Sequence, residues 1–273
     1  MTLPQDARVY QILFLATLLS IGVLVRDFSL QPQQMALTFA AGLATQALFT
    51  RLLGLRNVGF LSAIITCFGL SILLRADTLW AHPLAAFIAI GAKFMIRVNG
   101  KHLFNPANLG VIAGLTLIPG AWISPGQWGS DLITAAWFVA LGSIVTNRAR
   151  RMDISWMFLG CYVALLGARV LWLGQSNAIF WHQLQSGALL LFTFFMISDP
   201  MTIPNHTRGR LLYAALVAIG TYWWQFYLFK PNALVWALFL LTPLVPLLDR
   251  VWPGPRHAWR VTRESGVVPA GAA

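Results

Sequence analysis

The chain has 273 residues, 58% of them hydrophobic and only 10% charged, with a mean hydropathy of +0.70. That composition excludes an ordinary soluble domain and fits a protein that lives in a bilayer. A formal net charge of +11 would suggest nucleic acid for a soluble chain. Here the cations fall between apolar runs, so they read as a topology signal and no nucleic-acid partner is expected.

Apolar runs long enough to cross a hydrocarbon core of about 30 Å follow one another along the chain. They lie at residues 9–25, 34–50, 58–74, 79–96, 106–121, 131–147, 153–173, 184–198, 211–229 and 232–249. The first reads as a retained helix rather than a cleaved signal, because Arg26-Asp27 follows it and no small-residue cleavage site does. With the N-terminus inside, the inner loops hold Arg8, Arg51, Arg56, Lys93, Arg97, Lys101, Arg148, Arg150, Arg151, Arg208, Arg210, Arg250, Arg256, Arg260 and Arg263. Arg26, Arg75 and Lys230 remain outside. This bias predicts cytoplasmic termini, an even number of spans and a multi-pass protein of a bacterial-type inner membrane, with the lipid bilayer as its first partner. Residues 1–250 form one transmembrane domain and 251–273 a cytoplasmic tail.

The chain repeats itself. A shift of 125 residues superposes Phe104, Pro106, Leu109 and Leu115 on Phe229, Pro231, Leu234 and Leu240. A similar shift brings Asp77 and Thr78 near Asp199 and Thr202. The expected fold is therefore an all-α polytopic membrane protein of about ten helices. Two five-helix repeats, at about 9–125 and 128–250, would be inverted because five is odd, with a site near the midplane at broken helices.

Two polar interruptions mark where that site is expected. The first is Phe104-Asn-Pro-Ala-Asn-Leu-Gly110, preceded by Lys93, Arg97 and Lys101. The second is Ser198-Asp-Pro-Met-Thr-Ile-Pro-Asn-His-Thr207. Polar groups beside a bilayer-length helix are costly unless protein, water or ligand satisfies them. Asn105 and Asn108 share a helix face. Asn105 before Pro106 also reads as an ordinary helix cap, which leaves Asn108 unexplained. Amide donors and acceptors suit an uncharged heteroaromatic ring, and helix N-terminal N–H groups suit an anionic edge; a flavin isoalloxazine offers both. Asp199 reads either as a site acid or as an Asp-Pro turn paired with Arg208 or Arg210.

Other polar residues read as structural. Arg169 lies near an outer span end and is expected to snorkel. His82, His102, His182 and His206 show no four-residue helical spacing and read as satisfied contacts. Trp80, Trp122, Trp128, Trp181, Trp223 and Trp224 fit an interfacial belt. Cys67 and Cys161 read as small core hydrophobes. No catalytic constellation, phosphate-binding loop or metal site is legible.

The pairing of Phe-Asn-Pro-Ala-x-x-Gly at 104–110 with Ser-Asp-Pro-Met-Thr at 198–202, then Gly209-Arg210 opening a helix, carries a resemblance. It resembles the membrane components of flavin-dependent redox pumps: NqrB of the sodium-translocating NADH:quinone reductase and RnfD of the Rnf complex. Asp6-Ala-Arg-Val-Tyr-Gln-Ile and Ile72-Leu-Leu-Arg-Ala-Asp look more like short relatives, among them UnbU-type proteins encoded with enediyne biosynthesis genes. The resemblance implies two inverted five-helix repeats, a membrane-domain flavin and electron transfer with redox partner subunits. It implies a cofactor site at Asn105, Asn108, Asp199, Thr202, Arg97 and Lys101. Larger members carry FMN on a threonine of a Ser/Thr-x-Ala-Thr sequence between the fifth and sixth helices. Here that loop, 119–130, has no such sequence and Thr134-Ala-Ala is the nearest echo. The expected flavin, riboflavin or FMN, is therefore non-covalent. Two alternatives stand beside this redox subunit: a solute channel or transporter on the same scaffold, and an accessory membrane protein of a biosynthetic cluster.

Overall fold

Every predicted apolar segment is helical in the computed structural model, which describes residues 6–24, 31–55, 58–123 and 132–257. Arg26, Arg56, Arg260, Arg263 and most of the loop 119–130, where larger relatives carry a flavinylation motif and this chain does not, lie outside the described residues. The helices are α1 (Ala7–Leu24), α2 (Pro32–Leu52), α3 (Leu61–Leu73), α4 (Ala81–Met95), α5 (Pro106–Leu117) and α6 (Leu132–Arg148). They continue as α7 (Met152–Trp172), α8 (Asn177–Leu184), α9 (Gly187–Leu191), α10 (Thr207–Phe226), α11 (Ala233–Leu241) and α12 (Val245–Val251). A π-helical turn, Phe192–Met196, extends α9, and a 3₁₀ turn, Thr242–Leu244, joins α11 to α12.

Among the described residues, three helical runs are long and apolar enough to cross a membrane: α1, α7 and Ala233–Val251. A fourth candidate is the pair Asn177–Leu184 and Gly187–Met196, bent by 45°. The shorter α3, α4 and α5 are apolar as well. At 1.5 Å per residue α5 covers only about 18 Å, little more than half of a hydrocarbon core. The architecture is that of an all-α membrane protein. It departs from the sequence reading in α8, which was not expected, and in two short antiparallel pairs. Leu74–Ala76 (β1) pairs with Ala121–Ile123 (β4), and Arg97–Val98 (β2) with Lys101–His102 (β3).

Three helix contacts of the first half have counterparts in the second. In the first half α2 packs along α4, α4 along α5, and α1 along α3. In the second half α7 packs along α10, α10 along α11, and α6 along α9 and the π turn. Across the halves, α1 touches α6 and α5 touches α11. Their starts fix the register: Asn105 precedes α5 and Asn232 precedes α11. That correspondence is displaced by two residues from the match of Pro106 with Pro231. The displacement arises because Pro106 opens its helix, whereas Asn232, at φ +59°, delays the start of α11 by a left-handed step.

The arginine-rich loops meet at one end. Arg148, at the end of α6, lies 5.2 Å over the Tyr10 ring near the start of α1. Arg210 in the first turn of α10 reaches Asp153 at the start of α7. Asp249 near the end of α12 holds both Lys101 and the Asn205 N–H. Gln225 and Tyr162 lie many residues further along α10 and α7, toward the opposite end, where they share a hydrogen bond of 2.7 Å.

Candidate functional site

The turn Asn105-Pro106 fixes the first wall of the site. Asn105 is extended, at φ −60° and ψ 122°, and its Oδ1 accepts the Asn108 N–H at 3.0 Å, which caps α5. Pro106 needs no hydrogen-bond partner at the first helical position. The asparagine therefore has a spare amide, and Nδ2 donates to Asp199 Oδ2 at 3.3 Å and to Met196 O at 3.4 Å. Capping and a site contact are thus made by opposite ends of one side chain.

Asp199 follows the π turn. Ser198 Oγ donates to Phe194 O at 2.6 Å and closes that turn. Asp199 Oδ1 accepts the Met201 N–H at 3.1 Å, an Asx turn that holds the carboxylate. Thr202 belongs to the same turn: its N–H and its hydroxyl both donate to Asp199 O, at 3.1 and 3.3 Å. Arg210 pairs with Asp153 rather than with Asp199, through contacts of 2.6 and 2.7 Å.

The β2–β3 hairpin supplies the third group. Asn99 and Gly100 take left-handed turn conformations, φ +50° and +78°. Successive strand residues then point to opposite faces. Lys101 turns to Asp249, 3.1 Å away, and Asn205 Oδ1. His102 turns to Asp199, with Nε2 3.7 Å from Oδ2. No group lies within hydrogen-bonding distance of that buried Nε2 among the described residues. Burial opposes ionisation of Asp199, but the His102 imidazole and the Met201 N–H outweigh it and hold the carboxyl below its usual range.

His102, Asn105 and Asp199 line one edge of a cleft between α1, α3, α5, α6 and the π turn. Gln11, Thr66, Thr146 and Ser198 add polar groups, and Leu15, Ile72, Leu191, Phe195 and Met196 form apolar walls. Its void is about 80 Å³. Phe195 stacks on Phe14 with centroids 4.7 Å apart. A second cavity of about 360 Å³ lies beyond, lined by Tyr162, His182, Gln225 and Lys230. Leu73, Leu191 and Met196 line both and form the partition between them.

Of the residues expected at the site, Asn105 and Asp199 meet in the cleft. Thr202 supports the Asp199 turn, and Lys101 anchors the hairpin from its other face. Asn108 points elsewhere: its Nδ2 donates to Val235 O at 3.2 Å, joining the first turns of α5 and α11. Arg97 is exposed and donates to Gly100 O at 2.6 Å. His102 reads in the sequence as an ordinary polar contact, and Gln11 gives no signal there. The position of His102 three residues before Asn105, on the same polar interruption, is the available cue.

Residues 124–256 match the model of the NQR2, RnfD, RnfE family. The D subunit of the ion-translocating oxidoreductase complex of Stutzerimonas stutzeri is 41% identical over 91 residues, 32% of this chain and 24% of that protein. The protein of the same name from Actinobacillus pleuropneumoniae serotype 5b (strain L20) is 29% identical over 106 residues, 39% of this chain and 30% of its own. That of Salmonella paratyphi B (strain ATCC BAA-1250 / SPB7) is 30% identical over 123 residues, 44% of this chain and 34% of its own. The chain thus spans only about a quarter to a third of the length of these relatives. The expected resemblance to this family is shown over residues 124–256, which hold the second of the two motifs; the likeness to UnbU-type proteins is not shown. The matched stretch includes Asp199 and Thr202 and excludes Asn105 and Asn108.

Proposed function

We propose that this chain is a membrane electron-transport subunit of the NQR2, RnfD, RnfE kind, holding a flavin without a covalent bond and working between separately encoded redox partners. The observation that carries the reading is the convergence of His102, Asn105 and Asp199, from two distant polar interruptions, on one apolar-walled cleft. The second interruption lies in the stretch that matches the family. The duplicated helix contacts support two inverted five-helix repeats at about 9–125 and 128–250 in one domain, 1–250. The clustering of arginines at the end that holds the start of α1 supports cytoplasmic termini, a cytoplasmic tail at 251–273 and a bacterial inner membrane.

The donor set fits a flavin ring edge. An amide, an imidazole with an unpartnered buried Nε2 and a fixed carboxylate stand on one side of apolar walls. A void of about 80 Å³ holds a few waters by itself. A ring therefore enters as Phe195 and Met196 swing aside, and the π turn that carries them is the kind of helix irregularity found at functional sites. Bound flavin would supply one- or two-electron transfer. In this assignment His102 and Asn105 orient the ring edge and Asp199 sets the local charge. Lys101 and Thr202 hold the hairpin and the turn, Asn108 sets the α5–α11 joint, and Arg97 braces the hairpin turn through Gly100 O.

The test is an absorbance and fluorescence spectrum of detergent-purified protein, before and after acid precipitation. Flavin released to the supernatant is expected, and its loss in Asn105→Ala and His102→Ala, since each unpaired polar group costs about 1–3 kcal/mol. A protein that stays colourless after incubation with riboflavin and FMN would overturn the redox reading. One observation favours a second reading, a solute channel: two cavities share the wall residues Leu73, Leu191 and Met196. Solute flux into proteoliposomes that rises in Met196→Ala and Leu191→Ala would favour it.

A further inference from the structure

Beside the polar cleft, at the arginine-rich end, four segments enclose a basic pocket of about 760 Å³: the start of α1, the α6–α7 turn, the turn before α10 and the extended residues after α12. Ala7 and Ala149 line both this pocket and the cleft. Among the described residues, five arginines line it, at 148, 150, 151, 210 and 256, against a single acid, Asp6. Asp6 is engaged by Arg8 at 2.6 Å, and Arg210 by Asp153. Among the described residues, no carboxylate stands within ion-pair distance of Arg148, Arg150, Arg151 or Arg256.

The backbone holds these cations in place. Arg150 sits at φ +54°, where glycine would be less strained, and caps α6 by donating its N–H to Asn147 O at 2.9 Å. The Arg151 N–H follows with a 2.8 Å bond to Thr146 O. Across the pocket, His206 Nδ1 accepts the Arg208 N–H at 3.1 Å, which leaves Nε2 as the remaining donor at the start of α10. Burial and the charge of Arg210 disfavour the charged form of Arg151 and outweigh the opposite pull of Asp153.

We propose that this pocket binds a phosphate group. Unpaired guanidinium groups crowded in one concavity repel one another, and a phosphate relieves that repulsion while accepting paired N–H donors in the fork geometry arginine offers. A flat positive-inside surface would attract anions without enclosing them; here the arginines surround a void that shares two lining residues, Ala7 and Ala149, with the cleft. The phosphate belongs either to a soluble phosphate ester, whose other end reaches the cleft past Ala7 and Ala149, or to an anionic lipid headgroup. The inference does not depend on a flavin.

The test uses the purified full chain and follows thermal unfolding by tryptophan fluorescence. One arm adds inorganic pyrophosphate against chloride at equal ionic strength; the other compares nanodiscs of phosphatidylcholine with and without phosphatidylglycerol. A saturable rise in Tm with pyrophosphate is expected if the source is soluble, and one with phosphatidylglycerol alone if it is lipid. The active probe is expected to bind about ten-fold more weakly to Arg150→Gln/Arg151→Gln, which loses two charge-assisted contacts. Arg256→Gln, outside any helix, is expected to weaken it without disturbing the fold. No response to either probe, or a response undiminished in both variants, overturns the proposal.

Discussion

The two halves make matching helix contacts but fasten them with different chemistry. Between α2 and α4 no carboxylate takes part: deep in the contact Thr38 Oγ1 lies 3.0 Å from His82 Nδ1, and nearer the end of α4 Lys93 Nζ donates to the neutral Gln46 Oε1 at 2.8 Å. Between α7 and α10 an ion pair, Arg210 with Asp153, fastens one end, and a neutral bond, Tyr162 with Gln225, lies toward the other. His82 is fully buried, whereas the Asp153 side chain is 26% exposed. A charge is tolerated where water still reaches one partner, and a neutral hydrogen bond is used where it does not. Similar packing therefore does not require similar electrostatics; depth decides which kind of contact can be made.

The sharpest way to break this comparison is Asp153→Ala. It leaves the Arg210 guanidinium without its carboxylate and is expected to cost about 3 kcal/mol, read as a lower thermal midpoint in detergent. Gly110→Ala comes next. A Cβ there would stand 2.9 Å from Ala85 O and from Ala89 Cβ, so α5 could no longer approach α4. The expected loss is about 1–3 kcal/mol, and a midpoint equal to that of the parent would show that the contact is not that tight. Thr38→Val is the milder counterpart at the neutral contact of the first half, expected to cost about 1 kcal/mol, with the loss nearly erased when His82→Leu removes the partner as well.

The smallest effect is a pH dependence. The carboxyl of Asp199 titrates below its usual value, so its contribution to stability is complete above the ordinary carboxylate pKa of about 3.9. It is lost only as pH falls through the lowered folded value. Unfolding scans of the parent and Asp199→Asn are expected to run parallel near neutrality and converge in acid; convergence already near pH 6 would contradict the lowered carboxyl.

Much of the helix layout was legible in the sequence. Asn105-Pro106 announced the start of α5 because a cap and a first-turn proline act within three residues. Ser198-Asp199-Pro200 announced a turn for the same reason. Less was legible at the site. Asn105 and Asp199 were expected to act together and do meet, but Asn108, chosen for its shared helix face, turns to Val235. Periodicity states which residues share a face, not which neighbour that face meets. The π turn was invisible because its sequence, Phe-Thr-Phe-Phe-Met, reads as continuous apolar helix.

The order of the helices, the basic end and the two polar breaks were determined by the sequence alone, since hydropathy and capping are properties of consecutive residues. Only tertiary packing decided that His102 faces Asp199, that Arg210 takes Asp153 from 57 residues away, and that Lys101 is committed to Asp249. Each of those choices pairs a charge with a partner from a distant element of the fold. Several carboxylates compete for each cation there, and the distances between them exist only once the helices have packed.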